Sequence, residues 1–513
     1  MKIYLNHKNR RIRLTGQFKI SKAALYRNPL ENQAGPQGVI IAFPMKKLIL
    51  FFIALALIFF PAGAHAVVSP LSSPNNLYGI HILSEGDIPA AAKLVNSSGG
   101  TWGYVTLVIE DGDRDVAKWQ EIFDSLRRYR LIPLVRLATH AEDGGWAKPR
   151  PEDAVAWSQF LNSLNWVVKN RYVVLFNEPN HAQEWGGEVK PEEYVAVAAA
   201  FSRELKAASD DFFVLPAGLD AAAPDSASTM TLLTYLSWAF DYDPNFFTHF
   251  DGWTSHSYPN PDFSGSPAAT GLGSVESFKS ELNYLSRFGV GPNLPVFITE
   301  TGWAHNQEKV LGAHTPQAVA DYFTTAFTQI WQDPRVVAVT PFVLNYPQDP
   351  FGRFSWQKPE GSFYPQFEAV KNLDKPAGDP EQIHYGQFAD AVLPDKLVVD
   401  YHYAFSFKIK NLGQSIWDKE NYSLNFATNL PAGSISVSPL PVTEPFAEAK
   451  LNLVVATPDV PGEYNLSLQL QKDGLVFGDK FVTHFTVVSR PSFLDAFLHP
   501  VATFNLYCPT ASC

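Results

Sequence analysis

Cysteine is nearly absent from this chain, with two residues in 513, too few for a disulfide scaffold or a cysteine-rich metal cluster. Charged residues make up 18% against 46% hydrophobic, a balance that excludes an intrinsically disordered protein and leaves enough apolar surface for large cores. Apolar runs are short as well: Leu48 to Phe60 is unbroken for 13 residues, where a membrane-spanning helix needs about 20. No glycine-rich phosphate loop follows the first candidate strand, and His140, His256 and His305 show no metal-ligand spacing such as H-x-H. Aromatic residues are plentiful at 14%, with 12 Trp, 20 Tyr and 38 Phe, which suits several large cores or a cleft lined with flat rings.

The N-terminus reads separately from the rest. Residues 1–44 carry eight Lys or Arg against the single acid Glu31 and show no sustained apolar periodicity; they read as an unstructured, non-native extension. Met45-Lys46-Lys47, the apolar run, the Pro61 break and Ala64-His65-Ala66 then compose a signal peptide over 45–66. Met45 is the expected start and the expected location is secreted or cell-surface, with membrane association only through an uncleaved N-terminal segment. Cleavage after Ala66 leaves 30 basic and 50 acidic residues, a formal charge of −20. Nucleic acid and anionic membrane surfaces are therefore not expected as partners, and the chain is expected to be a monomer. Cys508 and Cys513 stand where an oxidising compartment closes a small terminal loop.

From 76 to 372 short β-rich apolar runs alternate with longer amphipathic stretches, the pattern of a parallel sheet with helical crossovers. Eight runs are legible: Tyr78 to Ile82, Trp102 to Ile109, Leu131 to Leu137, Tyr172 to Phe176, Phe212 to Ala217, Phe250 to Ser255, Pro295 to Thr299 and Val336 to Val343. Helix starts between them are marked by Pro151-Glu152-Asp153, Pro191-Glu192-Glu193 and Thr315-Pro316, with proline at a first turn and acids beside it. The predicted fold class is α/β, a (β/α)8 TIM barrel. A linker at 373–385 follows. The period then changes to two, as in Tyr403, Phe405, Phe407, Ile409 and in Tyr464, Leu466, Leu468, Leu470, predicting a smaller all-β sandwich domain over 386–490. Residues 491–513 form an apolar tail.

Barrel enzymes carry their chemistry at the C-terminal ends of strands. Two such ends hold carboxylates: Val173 to Phe176 runs into Asn177-Glu178-Pro179-Asn180, and Val296 to Thr299 runs into Glu300-Thr301-Gly302-Trp303. An acid beside buried apolar walls is costly unless something requires it, and a bland alternative is that each Glu begins a helix. Two glutamates on strands four and seven face each other across one mouth. Glycoside hydrolysis needs such a pair, one protonating the leaving oxygen and the other attacking the anomeric carbon or activating water.

On these residues the barrel resembles the clan A superfamily of retaining glycoside hydrolases, which includes cellulases, mannanases and β-glycosidases, over residues 76–372. The resemblance implies that Glu178 is the acid/base, Glu300 the nucleophile, and that Asn177 bonds a sugar 2-hydroxyl. It implies net retention through a glycosyl-enzyme intermediate, with a carbohydrate substrate and no cofactor or metal. His256 and Tyr258 end strand six, where members of this superfamily place a His and a Tyr that bonds the nucleophile. Arg136 on strand three is expected to hold Glu300 ionised, and His140 stands just beyond it. Trp146, Trp185, Trp303 and Trp356 fall in predicted loops, where ring faces stack on sugars, and Trp303 is the leading candidate. Strand eight departs from the superfamily by offering Phe342, Asn345 and Tyr346 in place of a stacking Trp. The second domain, with Asn411-Leu412-Gly413 and Trp417, is similar to immunoglobulin-like modules.

The expected function is thus a secreted retaining glycosidase acting on a neutral poly- or oligosaccharide. Two rivals compete with it: a catalytically silent carbohydrate-binding barrel of the cell surface, which would lack one of the glutamates, and a metal-dependent hydrolase, which would need clustered ligands.

Overall fold

The computed structural model of the chain describes residues 67–291, 293–306, 314–348 and 350–508. The expected N-terminal extension and signal peptide lie outside the described residues. Eight parallel strands follow one another: β1 Gly79–His81, β2 Gly103–Glu110, β3 Leu131–Ala138, β4 Arg171–Val174, β5 Phe212–Leu215, β6 Trp253–His256, β7 Val296–Glu300 and β8 Val336–Val339. Each overlaps one of the runs expected from sequence, usually one to four residues shorter at one end. β1 to β5 hydrogen-bond in sequence order in one sheet, and β6, β7 and β8 in a second. Two isolated parallel bridges cross the seams, Tyr78 with Val339 and Asp220 with His256. Val339 N also donates to Leu77 O at 2.9 Å, and Asp251 N to Val214 O at 2.9 Å.

Helices return the chain between strands: α1 Ile88–Val95, α2 Val116–Arg128, α3 Asp153–Ser163, α4 Pro191–Ala208, α5 Leu232–Tyr242, α6 Ser277–Leu285, α7 Pro316–Thr325 and α8 Pro365–Lys371. Their starts follow from local chemistry. Asp115 accepts from Ala117 N and Lys118 N at the head of α2, and Thr315 caps α7 through Ala318 N with Pro316 in the first turn, each satisfying backbone donors that the helix leaves open. α4 begins with Pro191, Glu192 and Glu193 as its composition predicts.

Inside the strands sits a ring cluster. Tyr172 packs 5.1 Å from Phe213 and 5.4 Å from Phe297 between ring centroids, and Phe213 and Phe297 are 5.6 Å apart. Burying these three side chains, each removing about 150–250 Å² from water, fixes the strands around one centre and leaves their C-terminal ends to carry polar groups.

The connecting segment 373–385 is pinned rather than loose. Gly378 N donates to Thr101 O, Asp379 N to Pro74 O and Lys169 N to Glu381 O. Beyond it lie β9 Gly386–Ala389, β10 Lys396–Val398, β11 His402–Asn411, β12 Tyr422–Thr428, β13 Ile435–Val437, β14 Glu448–Ala456, β15 Gly462–Lys472 and β16 Leu475–Val488. They form two four-stranded sheets, ordered β9-β11-β14-β13 and β10-β16-β15-β12. Phe405, Phe407, Ile409, Leu451, Leu453, Leu466 and Leu468 from both sheets share one buried core with Trp417, and the strict alternation of buried and exposed residues along β11 and β14 is the period-two pattern of the sequence made physical. The tail folds as two short helices, α9 Phe493–Leu498 and α10 Pro500–Tyr507. Cys508 is disulfide-bonded, while Cys513 lies outside the described residues. Among the described residues no helix is long and apolar enough to cross a membrane.

Candidate active site

At the C-terminal ends of the strands the two glutamates meet. One oxygen of Glu178, one of Glu300 and one nitrogen of His256 all lie within 4.8 Å of one another. The turn after β4 that delivers Glu178 is conformationally special: Phe176 has φ 72° and Glu178 φ 26°, a region that non-glycine residues enter at about 1–3 kcal/mol each. Glu178 N donates to Gly218 O at 3.1 Å, which ties this turn to the segment after β5.

Glu300 ends β7 and is almost fully buried. Burial opposes its ionisation, but the charges of His256 and Arg136 outweigh burial and hold the carboxyl well below the usual carboxylate range. Arg136 Nη1 pairs with Glu300 Oε1, and Tyr258 donates its hydroxyl to Oε2 at 3.1 Å. His256, also buried, places Nδ1 2.6 Å from Glu178 Oε1 and 4.0 Å from Glu300 Oε2. Burial alone would push the imidazole down; the charge of Glu300 and the bond to Glu178 overcome it and raise it. The imidazole sits between two acids, and the guanidinium of Arg136 sits at the other oxygen of Glu300.

Asn177 links this centre to a third acid. Its Oδ1 accepts from Arg136 Nη1 at 2.7 Å and its Nδ2 donates to Glu184 Oε2 at 3.1 Å. Glu184, raised chiefly by burial, lines a pocket with Arg136, Trp146 and Asn177. The pocket wall is fastened by a hairpin, Ala141–Glu142 with Gly145–Trp146: Gln183 Nε2 donates to Gly144 O at 2.9 Å, and Gly186 N to Trp146 O at 3.0 Å.

Two expected site residues stand elsewhere. Trp303 is 1% exposed; its Nε1 donates to Gly265 O at 2.8 Å and its ring packs against Tyr322 and Phe323. Its faces are spent on core contacts, so the expected stacking role is corrected, as it is for buried Trp185 and Trp356. The sequence places Trp303 in a loop, but that loop folds back onto α7. Of the four candidate tryptophans, half-buried Trp146 is the one beside the pocket. His140 has a side chain 61% exposed and pairs with Asp111 at 2.9 Å.

Four residues escaped the sequence reading. Glu184 lies six positions beyond Glu178 in the same loop, and His181 Nε2 bonds Asp220 Oδ2 at 2.9 Å; the loop's acid and histidine content was the available signal. Gly218 has no sequence signature, yet a β-carbon there would strike His256. His81 ends β1 fully buried with both ring nitrogens unpartnered, and burial followed by the charge of Arg136 pushes it down to about 3. At the end of β8, the half-buried Phe342 packs its ring edge-on to His81, 5.3 Å between centroids.

The three atoms within 4.8 Å are also the set a metal hydrolase would use. Arg136 paired directly to Glu300 already supplies positive charge there, which disfavours a second cation at the same oxygen pair.

No known family's sequence pattern matches this chain, and no curated protein does. Among solved structures it is similar to a GH128 endo-β-1,3-glucanase from Pseudomonas viridiflava, at 14% identity over 58% of this chain and 97% of that one, TM-score 0.37. A GH128 endo-β-1,3-glucanase from Amycolatopsis mediterranei in complex with laminarihexaose matches at 12% identity over 57% and 98%, TM-score 0.35. A β-1,4-D-mannanase from Cryptopygus antarcticus matches at 12% over 58% and 90%, TM-score 0.34. At these scores the likenesses assign the chain to no family, and the functional reading rests on the geometry of the site.

Proposed function

We propose that this protein is a retaining glycoside hydrolase acting on a neutral poly- or oligosaccharide and exported to the cell surface or beyond. The observation that carries the reading is that one carboxylate oxygen of Glu178 and one of Glu300 lie within 4.8 Å of each other: this approach suits the retaining arrangement, whose carboxyl groups stand about 5 Å apart for direct attack by one of them, better than the inverting one, whose groups stand about 6.5–9.5 Å apart to admit a water.

The two acids have different surroundings. Glu300, held ionised by Arg136 and His256, attacks the anomeric carbon as the bond to the leaving oxygen breaks. Glu178 gives that oxygen a proton; with His256 Nδ1–H donating to Oε1, the proton rides on Oε2. A water then attacks the glycosyl ester, its proton passes to Glu178, and Glu300 departs as carboxylate. Tyr258 orients Glu300. Trp146 offers a ring face to the sugar beside Asn177 and Glu184. The acidic balance of the exported portion favours a neutral substrate. The same reading takes β1 to β8 as a closed (β/α)8 barrel, supported by the two seam bridges, and residues 386–490 as an immunoglobulin-like sandwich.

The test compares protein starting at Val67 as wild type, Glu178→Ala and Glu300→Ala on aryl β-glycosides and plant and microbial glycans, with and without azide and with and without a chelator. Wild-type hydrolysis that ignores the chelator, with Glu300→Ala revived by azide to the inverted glycosyl azide, supports the reading. Glycan binding with no turnover by any substrate supports the silent binding barrel instead.

A further inference from the structure

Beyond the pocket at Trp146, the loops after β2 and β3 enclose a groove of ≈420 Å³ whose walls include Asp111, Arg114, His140, Lys148, Arg150 and Trp157. Thr139 and Pro149 line both this groove and the pocket beside Arg136 and Asn177, so the two are neighbours. A shallower depression of ≈630 Å³ adjoins the groove and shares Asp111, Arg114 and Ala156 with it.

Most of its cations are already matched. His140 pairs with Asp111, Lys148 with Glu193 and Arg150 with Asp153. Arg114 differs. Its Nε donates to the backbone oxygen of Asp111 at 2.9 Å, its guanidinium lies 5.1 Å over the Trp157 ring, and among the described residues no carboxylate stands within ion-pair distance of it. The Trp157 ring and the Asp111 carbonyl hold this planar fork of donors in place, and such a fork suits two adjacent oxygens. The surrounding carboxylates Asp111, Glu142 and Asp153 nearly balance the cations, so the local field favours neither an anion nor a cation, while the walls carry both donors and acceptors, as a polyhydroxyl ligand requires.

We infer that this groove is a distal subsite for neutral sugar units of a longer glycan, with Arg114 gripping neighbouring hydroxyls and His140 and Asp111 completing the wall. The inference rests on reading the carboxylate pair as a glycosidase and adds to it a substrate class: a glycan long enough to reach from the catalytic pair into a second cavity.

The experiment measures kcat/KM of wild type, Arg114→Ala and Arg114→Lys on β-1,3-glucan and β-1,4-mannan oligosaccharides of two to six units and on aryl monoglycosides. The ratio of the hexamer value to the monoglycoside value is expected to fall at least tenfold in both variants, since lysine keeps the charge but loses the fork. A ratio within twofold of wild type overturns the groove and leaves the glycosidase reading standing. Should wild type cleave nothing, the glycosidase reading fails, and calorimetric titration of the hexamers into wild type and Arg114→Ala judges the groove separately: binding weakened at least tenfold by the substitution upholds it, and equal affinity, or no binding to wild type, overturns it.

Discussion

Gly218 leaves the space that the ring of His256 fills: a β-carbon at 218 would lie 2.2 Å from its Cδ2 and 2.3 Å from its Nε2. The contact is with ring atoms on a buried strand end, so the imidazole has to move if the methyl is added. His256 bonds Glu178 at 2.6 Å, and its displacement carries the acid/base with it. Gly218→Ala is therefore expected to lower kcat by about 100-fold, the scale on which misplacing a catalytic group by about 1 Å acts, with a far-ultraviolet spectrum like that of wild type. Unaltered kcat would show that the ring is free to shift without consequence.

Arg136 sets the charge state of Glu300. With the guanidinium removed in Arg136→Met, burial of Glu300 is opposed chiefly by His256, so its carboxyl rises and ionises only at higher pH. The acid limb of the kcat/KM profile is expected to move up by about one pH unit or more. An acid limb in the wild-type position would mean that Arg136 does not tune the nucleophile.

Trp146 and Trp303 are expected to separate cleanly. Trp303→Ala removes a buried ring with a bonded Nε1 and costs about 3–5 kcal/mol of stability, read as a large drop in Tm. Trp146→Ala leaves Tm within a few degrees and raises KM, because the half-buried ring borders the pocket rather than the core. The reverse outcome would return Trp303 to the site.

That pair also marks how far the sequence could be read. The strands were legible because Val, Ile, Phe and Tyr gather in runs bounded by turn residues, and Glu178 and Glu300 were legible because each directly follows such a run. Arg136 was legible for the same reason, lying on β3. Loops carry no such periodicity. Nothing local in Glu300-Thr301-Gly302-Trp303 says that the tryptophan turns inward to α7, nor does the segment after Thr139 say that His140 pairs with Asp111 while Trp146 and Glu184 line one pocket. Gly218 and the unpartnered His81 become meaningful only when neighbouring strands are in place, since their constraints are contacts between residues far apart in the chain.

Glu281 provides a test of stability. It is buried behind β6, accepting from Trp253 Nε1 at 2.7 Å and Ser255 Oγ at 2.9 Å, and burial raises it to about 7 while the two bonds pull it back. The folded chain therefore keeps a proton that the unfolded chain releases from about pH 4.5. This group's stabilisation is complete below pH 4.5 and is lost as pH rises toward 7, roughly 3 kcal/mol in all. Glu281→Gln should flatten the fall of Tm between pH 5 and 7.5. Parallel Tm profiles for the two proteins would refute the assignment.

The most direct measurement of the central claim is the anomeric configuration of the first product, followed by proton nuclear magnetic resonance in the minutes before mutarotation, on whichever glycoside the wild type cleaves. Glu178 and Glu300 within 4.8 Å predict a product that keeps the configuration of the substrate. A product of inverted configuration would contradict the double displacement and the assignment of Glu300 as nucleophile.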